Sequence, residues 1–498
     1  MSTNHTARHG PSLALRRFII AALLVAGALG LLMVARPVAL AGPLALAGPL
    51  ALTSDVTRQV ISDTLAIDEP PPYHLRLPVI ANNYAEITPV VGVQTYGTFN
   101  GSTAPLAPII SSKTTWVRNQ FFWNNIEPDN RTPANYNWAG LDAQMQLVRD
   151  SKVNLIFTII SFPEWATESG VREDCNSLKN PNDLVEFVSA LVARYPYVRF
   201  WELCNEPDRV GRFGTKGAQY ANLLKAIYPA VKAANPTANV VMGGLALDWF
   251  VDEGGPFDRY FLTDVLANCS GTCFDIANFH YYPLYRYRWE PYGRDIVGKA
   301  NWIRQQLIQY NYARPIIVTE TTWPSASSWG SPELQARFVA KSYARGMAAG
   351  LLLVTWYSLV DVDTSLPGLL DANHTPRSAF AALTTFTGLM NKARFRRAIP
   401  AAETGSARVE AYEFRVPGVG GEKRLDIYWY DCTSMLDTPF PADCTGSAQI
   451  SIAAEQVART DKLGSRTVMI VGTLAGAGLA IAIALFAKSQ WMFIPFLF

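Results

Sequence analysis

Arg199-Phe200-Trp201-Glu202-Leu203-Cys204-Asn205-Glu206-Pro207-Asp208 is the stretch from which the rest of this chain is read. Val198 to Leu203 is a short apolar and aromatic run, long enough for a buried strand. It has to stop at Asn205-Glu206-Pro207, because proline cannot donate to a sheet ladder. A carboxylate with an amide directly before it is thereby left at the C-terminal mouth of a strand. In a barrel of parallel strands, that mouth is where chemistry is done. The same tripeptide in an ordinary loop would carry no meaning, so the reading depends on a second acid placed the same way. Pro315-Ile316-Ile317-Val318-Thr319-Glu320 supplies it: a β-branched apolar run delivers Glu320 to its C-terminal end, before Thr321-Thr322-Trp323-Pro324.

Outward from these two stretches, from about residue 88, short apolar runs alternate with longer amphipathic ones, the rhythm of parallel β/α units. Strands are expected at Val90–Gln94, Thr115–Arg118, Val153–Ile160, Val198–Leu203, Asn239–Ala246, Asp275–Tyr282, Pro315–Glu320 and Leu351–Ser358. Helices are expected at Leu141–Asp150, with Leu141, Met145 and Val148 on one face, at Pro181–Ala193, at Ala218–Ala234 and at Pro376–Thr385. The class is α/β: a (β/α)8 TIM barrel over 88–390, followed by a small all-β, sandwich-like domain over 391–498. In that tail, Val409–Val416 and Leu425–Tyr430 alternate as strands do. Thr467–Ala487 has no charge over 21 residues, enough to cross a bilayer, but Leu479–Leu485 alternates large and small with period two. A β-strand is the preferred reading there, and a transmembrane helix over 467–487 the alternative.

Composition narrows the function classes. Net charge is +2, which argues against nucleic acid or any other strongly charged partner. Arg16 and Arg17 precede an uncharged run, Phe18–Ala35, and then Ala39-Leu40-Ala41, the anatomy of a secretory signal or an uncleaved membrane anchor within 1–51. Residues 52–87, with Pro70-Pro71-Pro72, read as a linker. The expected location is extracellular or at the cell surface, with the membrane a partner only if the N-terminal segment stays attached. Six cysteines suit an oxidising compartment. Cys269 with Cys273, and Cys432 with Cys444, bracket short loops and are plausible local disulfides; Cys175 and Cys204 pair with each other or stay free. There is no His-Glu-x-x-His, Cys-x-x-Cys, Gly-x-Ser-x-Gly or phosphate loop, so neither a metal nor a cofactor is expected. With 13 Trp and 21 Tyr, the chain has aromatic rings for its core and, in reserve, flat faces for sugar rings.

Two carboxylates at one barrel rim are what glycosidic cleavage needs: one protonated to meet the leaving oxygen, the other ionised to attack or stabilise the anomeric carbon. Asn205-Glu206-Pro207 on the fourth strand with Glu320 on the seventh resembles the clan A glycoside hydrolases, retaining enzymes on TIM barrels, over roughly 88–390. The resemblance implies that Glu206 is the acid/base, Glu320 the nucleophile, and Asn205 a contact of the sugar 2-hydroxyl. It further implies that Arg118 hydrogen-bonds the nucleophile, that His280 and Tyr282 line the site, and that Trp356 floors the subsite of the cleaved sugar. His280 and Tyr282 are two apart and so share a strand face. Trp123-Asn124-Asn125-Ile126-Glu127-Pro128 and Phe162-Pro163-Glu164-Trp165-Ala166 resemble the family 39 and family 5 branches, and Trp165 joins the substrate-binding candidates. Glu127, Glu164 and Glu202 compete for the catalytic roles. Glu202 lies four residues before Glu206, too deep in its strand, and the other two follow strands where the clan keeps no catalytic acid. The expected activity is exported, retaining hydrolysis of a poly-, oligo- or glycoconjugate saccharide. The alternatives are an inactive carbohydrate-binding barrel, and a transglycosylase or cell-wall remodelling factor.

Overall fold

Six barrel strands carry one local pattern: an apolar residue, then an outward-facing one, then a polar one. The pattern sets both the core and the floor of the site. In the computed structural model, residues 91–95 and 106–430 are described, apart from 132, 326–329, 363–365, 391 and 419–420; four strand segments, 449–453, 456–460, 469–473 and 480–484, are described beyond them. The proposed signal or anchor, the linker, Cys432 and Cys444 lie outside the described residues.

The strands are β1 (Val91–Thr95), β2 (Trp116–Phe122), β3 (Asn154–Ile160), β4 (Phe200–Asn205), β5 (Asn239–Gly244), β6 (Ala277–Tyr281), β7 (Ile316–Thr321) and β8 (Leu353–Trp356). They form an eight-stranded parallel sheet in the order β5-β4-β3-β2-β1-β8-β7-β6. The bridges Val241↔Ile276 and Leu245↔Phe279 join β5 to β6 and close the barrel. β2 runs four residues past its expected end because its pairing with β3 continues to Phe122↔Ile160, with Phe121 stacked on Phe157 at 3.8 Å. Helices lie between the strands. Pro181–Arg194 starts where the Asn180 side chain accepts from the Asn182 amide and Pro181 fills the first turn. It buries Leu184, Phe187, Val188, Leu191 and Val192, at helical spacing, each by about 1.5–3 kcal/mol.

Inside the barrel, Trp116, Ile156, Phe200, Val241, Ile276, Ile317 and Leu353 form one apolar layer. Side chains on a strand return to the same face every second residue. Two residues on, six of these strands place Arg118, Thr158, Glu202, Asn278, Thr319 and Thr355, all buried, and β1 adds Gln94. The interior therefore changes from hydrocarbon to hydrogen-bonding groups in one step toward the mouth. Buried polar groups need partners, and here Arg118, Thr158, Glu202, Asn278 and Thr319 find one another.

β9 (Arg394–Ala398), β10 (Val409–Gly418) and β11 (Gly421–Tyr430) form an antiparallel sheet in the order β11-β10-β9. Tyr412, Phe414, Leu425, Ile427 and Trp429 belong to the same buried core as the barrel's helix-facing residues. Arg345, on the helix Pro332–Ala348, ties the two parts: it donates to both oxygens of Glu410, at 2.8 and 2.6 Å, and to Asp295 at 2.6 Å. Farther on, Gln449–Ala453 pairs antiparallel with Ala480–Ala484, and Gln456–Thr460 with Met469–Thr473. The described parts of 467–487 are thus strands, and no described helix is long and apolar enough to cross a membrane.

Candidate active site

Arg118 is the hub. Its Nε and Nη2 donate to the two oxygens of Glu202 at 2.6 and 3.0 Å, Nη1 donates to Gln94 Oε1 at 3.0 Å and Glu320 Oε1 at 2.8 Å, and Nη2 reaches Asn205 Oδ1 at 2.8 Å. A planar guanidinium suits this role, since its donors are fixed in direction. Glu202 accepts in addition from Thr158 Oγ1 at 2.5 Å, Asn278 Nδ2 at 2.8 Å and the Gly244 amide at 3.1 Å, and Thr319 Oγ1 lies 3.3 Å away. Glu202 is therefore the anchor of Arg118.

Two departures from strand geometry aim the outer groups. Period two would send Glu320 outward, since Ile317 and Thr319 point in. β7 shifts register against β8 between Val318 and Thr321, and against β6 opposite Phe279 and His280, so Thr319 and Glu320 both face the interior. A bulge re-aims a side chain in this way. On β4, Cys204 and Glu206 take φ of +70° and +44°, left-handed backbone that costs a non-glycine residue of order 1–3 kcal/mol. The turn is held from several sides. A disulfide joins Cys204 to Cys175, Arg212 donates to the Asn205 carbonyl at 2.6 Å, and the Glu206 amide donates to the Gly244 carbonyl at 3.1 Å. Buried Asp208 accepts from the amides of Ala246 and Leu247 at 3.2 and 2.9 Å.

His280 lies between the two carboxylates, its Nδ1 3.2 Å from Glu206 Oε1 and 3.4 Å from Glu320 Oε2. Its Nε2 is 3.1 Å from Thr319 Oγ1. Thr319 has one hydroxyl hydrogen, and its other neighbours, Asn278 Oδ1 at 3.0 Å and Glu202 Oε1 at 3.3 Å, can only accept. The hydroxyl therefore donates to one of them and accepts from Nε2–H. That assignment leaves Nδ1 to accept from a protonated Glu206 or to donate to an ionised one. Gly244 is required beside this ring: a Cβ there would stand 2.2 Å from Nε2. Tyr282 OH donates to Glu320 Oε2 at 2.8 Å. Burial, then Glu320 and Glu206, hold the Tyr282 phenol well above its ordinary range, so it remains a donor. At Glu206, burial pushes the carboxyl up, but the hydrogen bond and charge of His280, then Arg212 and Arg209, outweigh it and hold the group below its ordinary value.

The structure thus brings together Glu206, Glu320, Asn205, Arg118, His280 and Tyr282. Trp356 is placed differently from its expected position on the floor. Along β8, Leu353 and Thr355 face the interior while Val354 meets Gly346 of the outer helix Pro332–Ala348. Trp356 shares the parity of Val354; it is fully buried and packs against Phe338 of that helix, centroids 6.0 Å apart. Tyr357, the next residue, returns to the mouth and is close enough to Tyr282 to influence its phenol. Trp165 packs edge-on against Trp123 at 5.5 Å and donates to the Glu127 carbonyl at 3.2 Å, in the loops after β2 and β3. Among the described residues, Glu206, His280 and Glu320 offer atoms within 4.8 Å of one another, a spacing that could hold an ion. Arg118 already sets a cation on Glu320, and the trio is read as a carboxylate pair bridged by an imidazole.

Glu127 is a buried acid of another kind. It accepts from the Trp123 indole at 2.8 Å, and burial, against that hydrogen bond and with Glu186 and Asp183 nearby, raises its carboxyl to about 7. The folded state then holds this proton more tightly than the unfolded chain, so stability falls as pH rises from about 4.5 to about 7 and stays reduced above. The penalty is at most ~3 kcal/mol. Glu127→Gln keeps the indole's acceptor without the charge. Its melting temperature should match the parent near pH 4 and exceed it by a few degrees at pH 8. An offset that is the same at both pH values contradicts this assignment.

No family model matches the chain, and no curated relative does. Solved structures match it in fold. A family 39 glycoside hydrolase from Bacteroides cellulosilyticus is 16% identical with a TM-score of 0.55, over 77% of this chain and 79% of that one. A family 39 enzyme from Xanthomonas axonopodis pv. citri is 15% identical with a TM-score of 0.52, over 80% and 92%. A family 30 endoxylanase from Clostridium papyrosolvens is 13% identical with a TM-score of 0.51, over 80% and 93%. At such identities the likeness establishes the barrel and its following sheet.

Proposed function

We propose that this barrel hydrolyses glycosidic bonds with retention of anomeric configuration, Glu206 acting as acid/base and Glu320 as nucleophile. The observation that carries the proposal is the approach of the two carboxylates. Their nearest oxygens lie within 4.8 Å. Retaining enzymes need carboxyl groups about 5–5.5 Å apart, whereas inversion needs roughly 6.5–9.5 Å to admit a water. The glycoside hydrolases among the structural matches support the same reading.

Glu320 has a donor on each oxygen, Arg118 on Oε1 and Tyr282 on Oε2, which fixes its plane for attack on the anomeric carbon. Glu206 and His280 share one proton across the contact between Oε1 and Nδ1. As the C1–O bond breaks, Glu206 delivers that proton to the leaving oxygen, His280 is left neutral, and Glu320 bonds to C1. Water then attacks C1, the bond to Glu320 breaks, and the water's proton returns through Glu206 to His280. General acid–base help of this kind is worth about 10²–10⁴-fold. Trp249, Tyr260 and Tyr287, exposed on the segments after β5 and β6, offer flat faces suited to sugar rings. The disulfides Cys175–Cys204 and Cys269–Cys273 support an oxidising compartment and hence export.

A panel of α- and β-aryl glycosides tests the activity. Turnover of at least one of them, absent in Glu320→Ala, is expected. Binding of oligosaccharides with no turnover across the panel would favour a carbohydrate-binding barrel, and transfer to an added acceptor sugar in place of water would assign a transglycosylase.

A further inference from the structure

Behind the imidazole, β5 and β6 are joined at their mouth ends by a buried cation. Lys299, on the helix Ile296–Gln309, is fully buried. Its ammonium donates to the Ala246 carbonyl, to the His280 carbonyl at 2.8 Å and to Asp248 Oδ1 at 2.8 Å. An ammonium has three hydrogens, and all three are placed. The Trp289 and Phe279 rings lie 5.0 and 5.7 Å from Nζ, and the Trp289 indole also donates to Asp248 at 3.3 Å. A buried ion pair is seldom better for stability than hydrocarbon of the same volume, so this one calls for a reason beyond stability.

The reason lies in its partners. One is the backbone carbonyl of His280, whose side chain touches both Glu206 and Glu320. Another is Ala246, whose amide is held by Asp208 two residues past Glu206. Both strand ends that frame the imidazole therefore hang on one nitrogen. The charged groups facing it are Asp248 after β5, and Asp208 and Glu206 after β4. Those facing Glu206 are His280, Arg212 and Arg209, with Asp208, Asp248, Lys299 and Tyr282 also near enough to act.

We propose that Lys299 is a positioning residue for the reaction: its ammonium, through the His280 carbonyl, fixes the His280 imidazole against Glu206. The proposal rests on the acid/base reading of Glu206. With the imidazole no longer fixed against it, Glu206 loses the hydrogen bond that offsets its burial, and it holds its proton more tightly. Burial works against the ammonium, and Asp248, Asp208 and Glu206 work for it, so charge at this position is coupled to the site.

The test is the double variant Lys299→Met with Asp248→Leu, which removes the pair without leaving an orphan carboxylate in the core. The expected result is a loss in kcat of about 10–100-fold with KM nearly unchanged, and an alkaline limb of kcat/KM displaced upward by about half a pH unit or more. A purely structural role would lower the melting temperature and leave the pH profile of the folded enzyme where it was; that outcome overturns the proposal. The 15N resonances of the His280 ring, followed against pH in the full chain, give a readout independent of turnover. They should show one tautomer, protonated at Nε2, in the parent and a mixture of tautomers in the double variant; the same single tautomer in both overturns the proposal even if the chain proves to have no glycosidase activity. Absence of aryl-glycoside turnover in the parent, with the tautomers still mixed in the double variant, would instead count against the catalytic reading alone.

Discussion

Glu320→Ala is expected to lose turnover on every substrate, by about 10⁴-fold or more, because no glycosyl–enzyme bond can form. Glu206→Ala should behave differently. Substrates whose leaving groups need little protonation should still form the intermediate, and the block should fall on its hydrolysis, where no base remains to activate water. Azide needs no base. It should restore turnover to Glu206→Ala and give a glycosyl azide of retained configuration, whereas any azide product from Glu320→Ala should be inverted. Rescue with retention in Glu320→Ala, and none in Glu206→Ala, would exchange the roles. The geometry gives each outcome its reason: Glu320 is held by two donors, and Glu206 is joined to a ring nitrogen that can take or return a proton.

Glu202→Gln should destabilise the fold by about 3–5 kcal/mol, the cost of leaving a buried charge without its partner. Both Glu202 oxygens are surrounded by donors: Arg118 Nε and Thr158 on one, Arg118 Nη2, Gly244 N and Asn278 on the other. An amide NH2 in either orientation would face an N–H of Arg118. The guanidinium would then shift, and Glu320 and Asn205, which it also holds, would lose their orientation. Chemical denaturation measures the first effect, and kcat of the folded fraction the second. A loss under about 1 kcal/mol with kcat unchanged would show that Glu202 is not the anchor.

The eight strands were legible because a strand buried on both faces is nearly continuous in apolar residues, and proline or a carboxylate marks its end. Glu206 and Glu320 could be found for the same reason. Glu202 was set aside as too deep in its strand, and the depth was correctly read; what it meant was the partner of Arg118. Trp116-Val117-Arg118, Ile156-Phe157-Thr158, Phe200-Trp201-Glu202, Ile276-Ala277-Asn278, Ile317-Val318-Thr319 and Leu353-Val354-Thr355 show one pattern, and comparing the six would have exposed the polar layer. Parity along Leu353–Trp356 would likewise have turned Trp356 outward and left Tyr357 at the mouth. The bulge in β7 and the left-handed Cys204 were not legible, since both break the period on which strand reading depends. Nor was the Cys175–Cys204 pair, because spacing alone does not give connectivity.

The most direct test of the account is the anomeric configuration of the first product. Proton NMR in the early phase of hydrolysis, before mutarotation, separates the two anomers of the released sugar. Carboxylate oxygens within 4.8 Å fit the closer, retaining separation, so two displacements at the anomeric carbon are predicted, with the product first appearing in the configuration of the substrate. A product that first appears inverted would contradict the double displacement and the assignment of Glu320 as nucleophile with it.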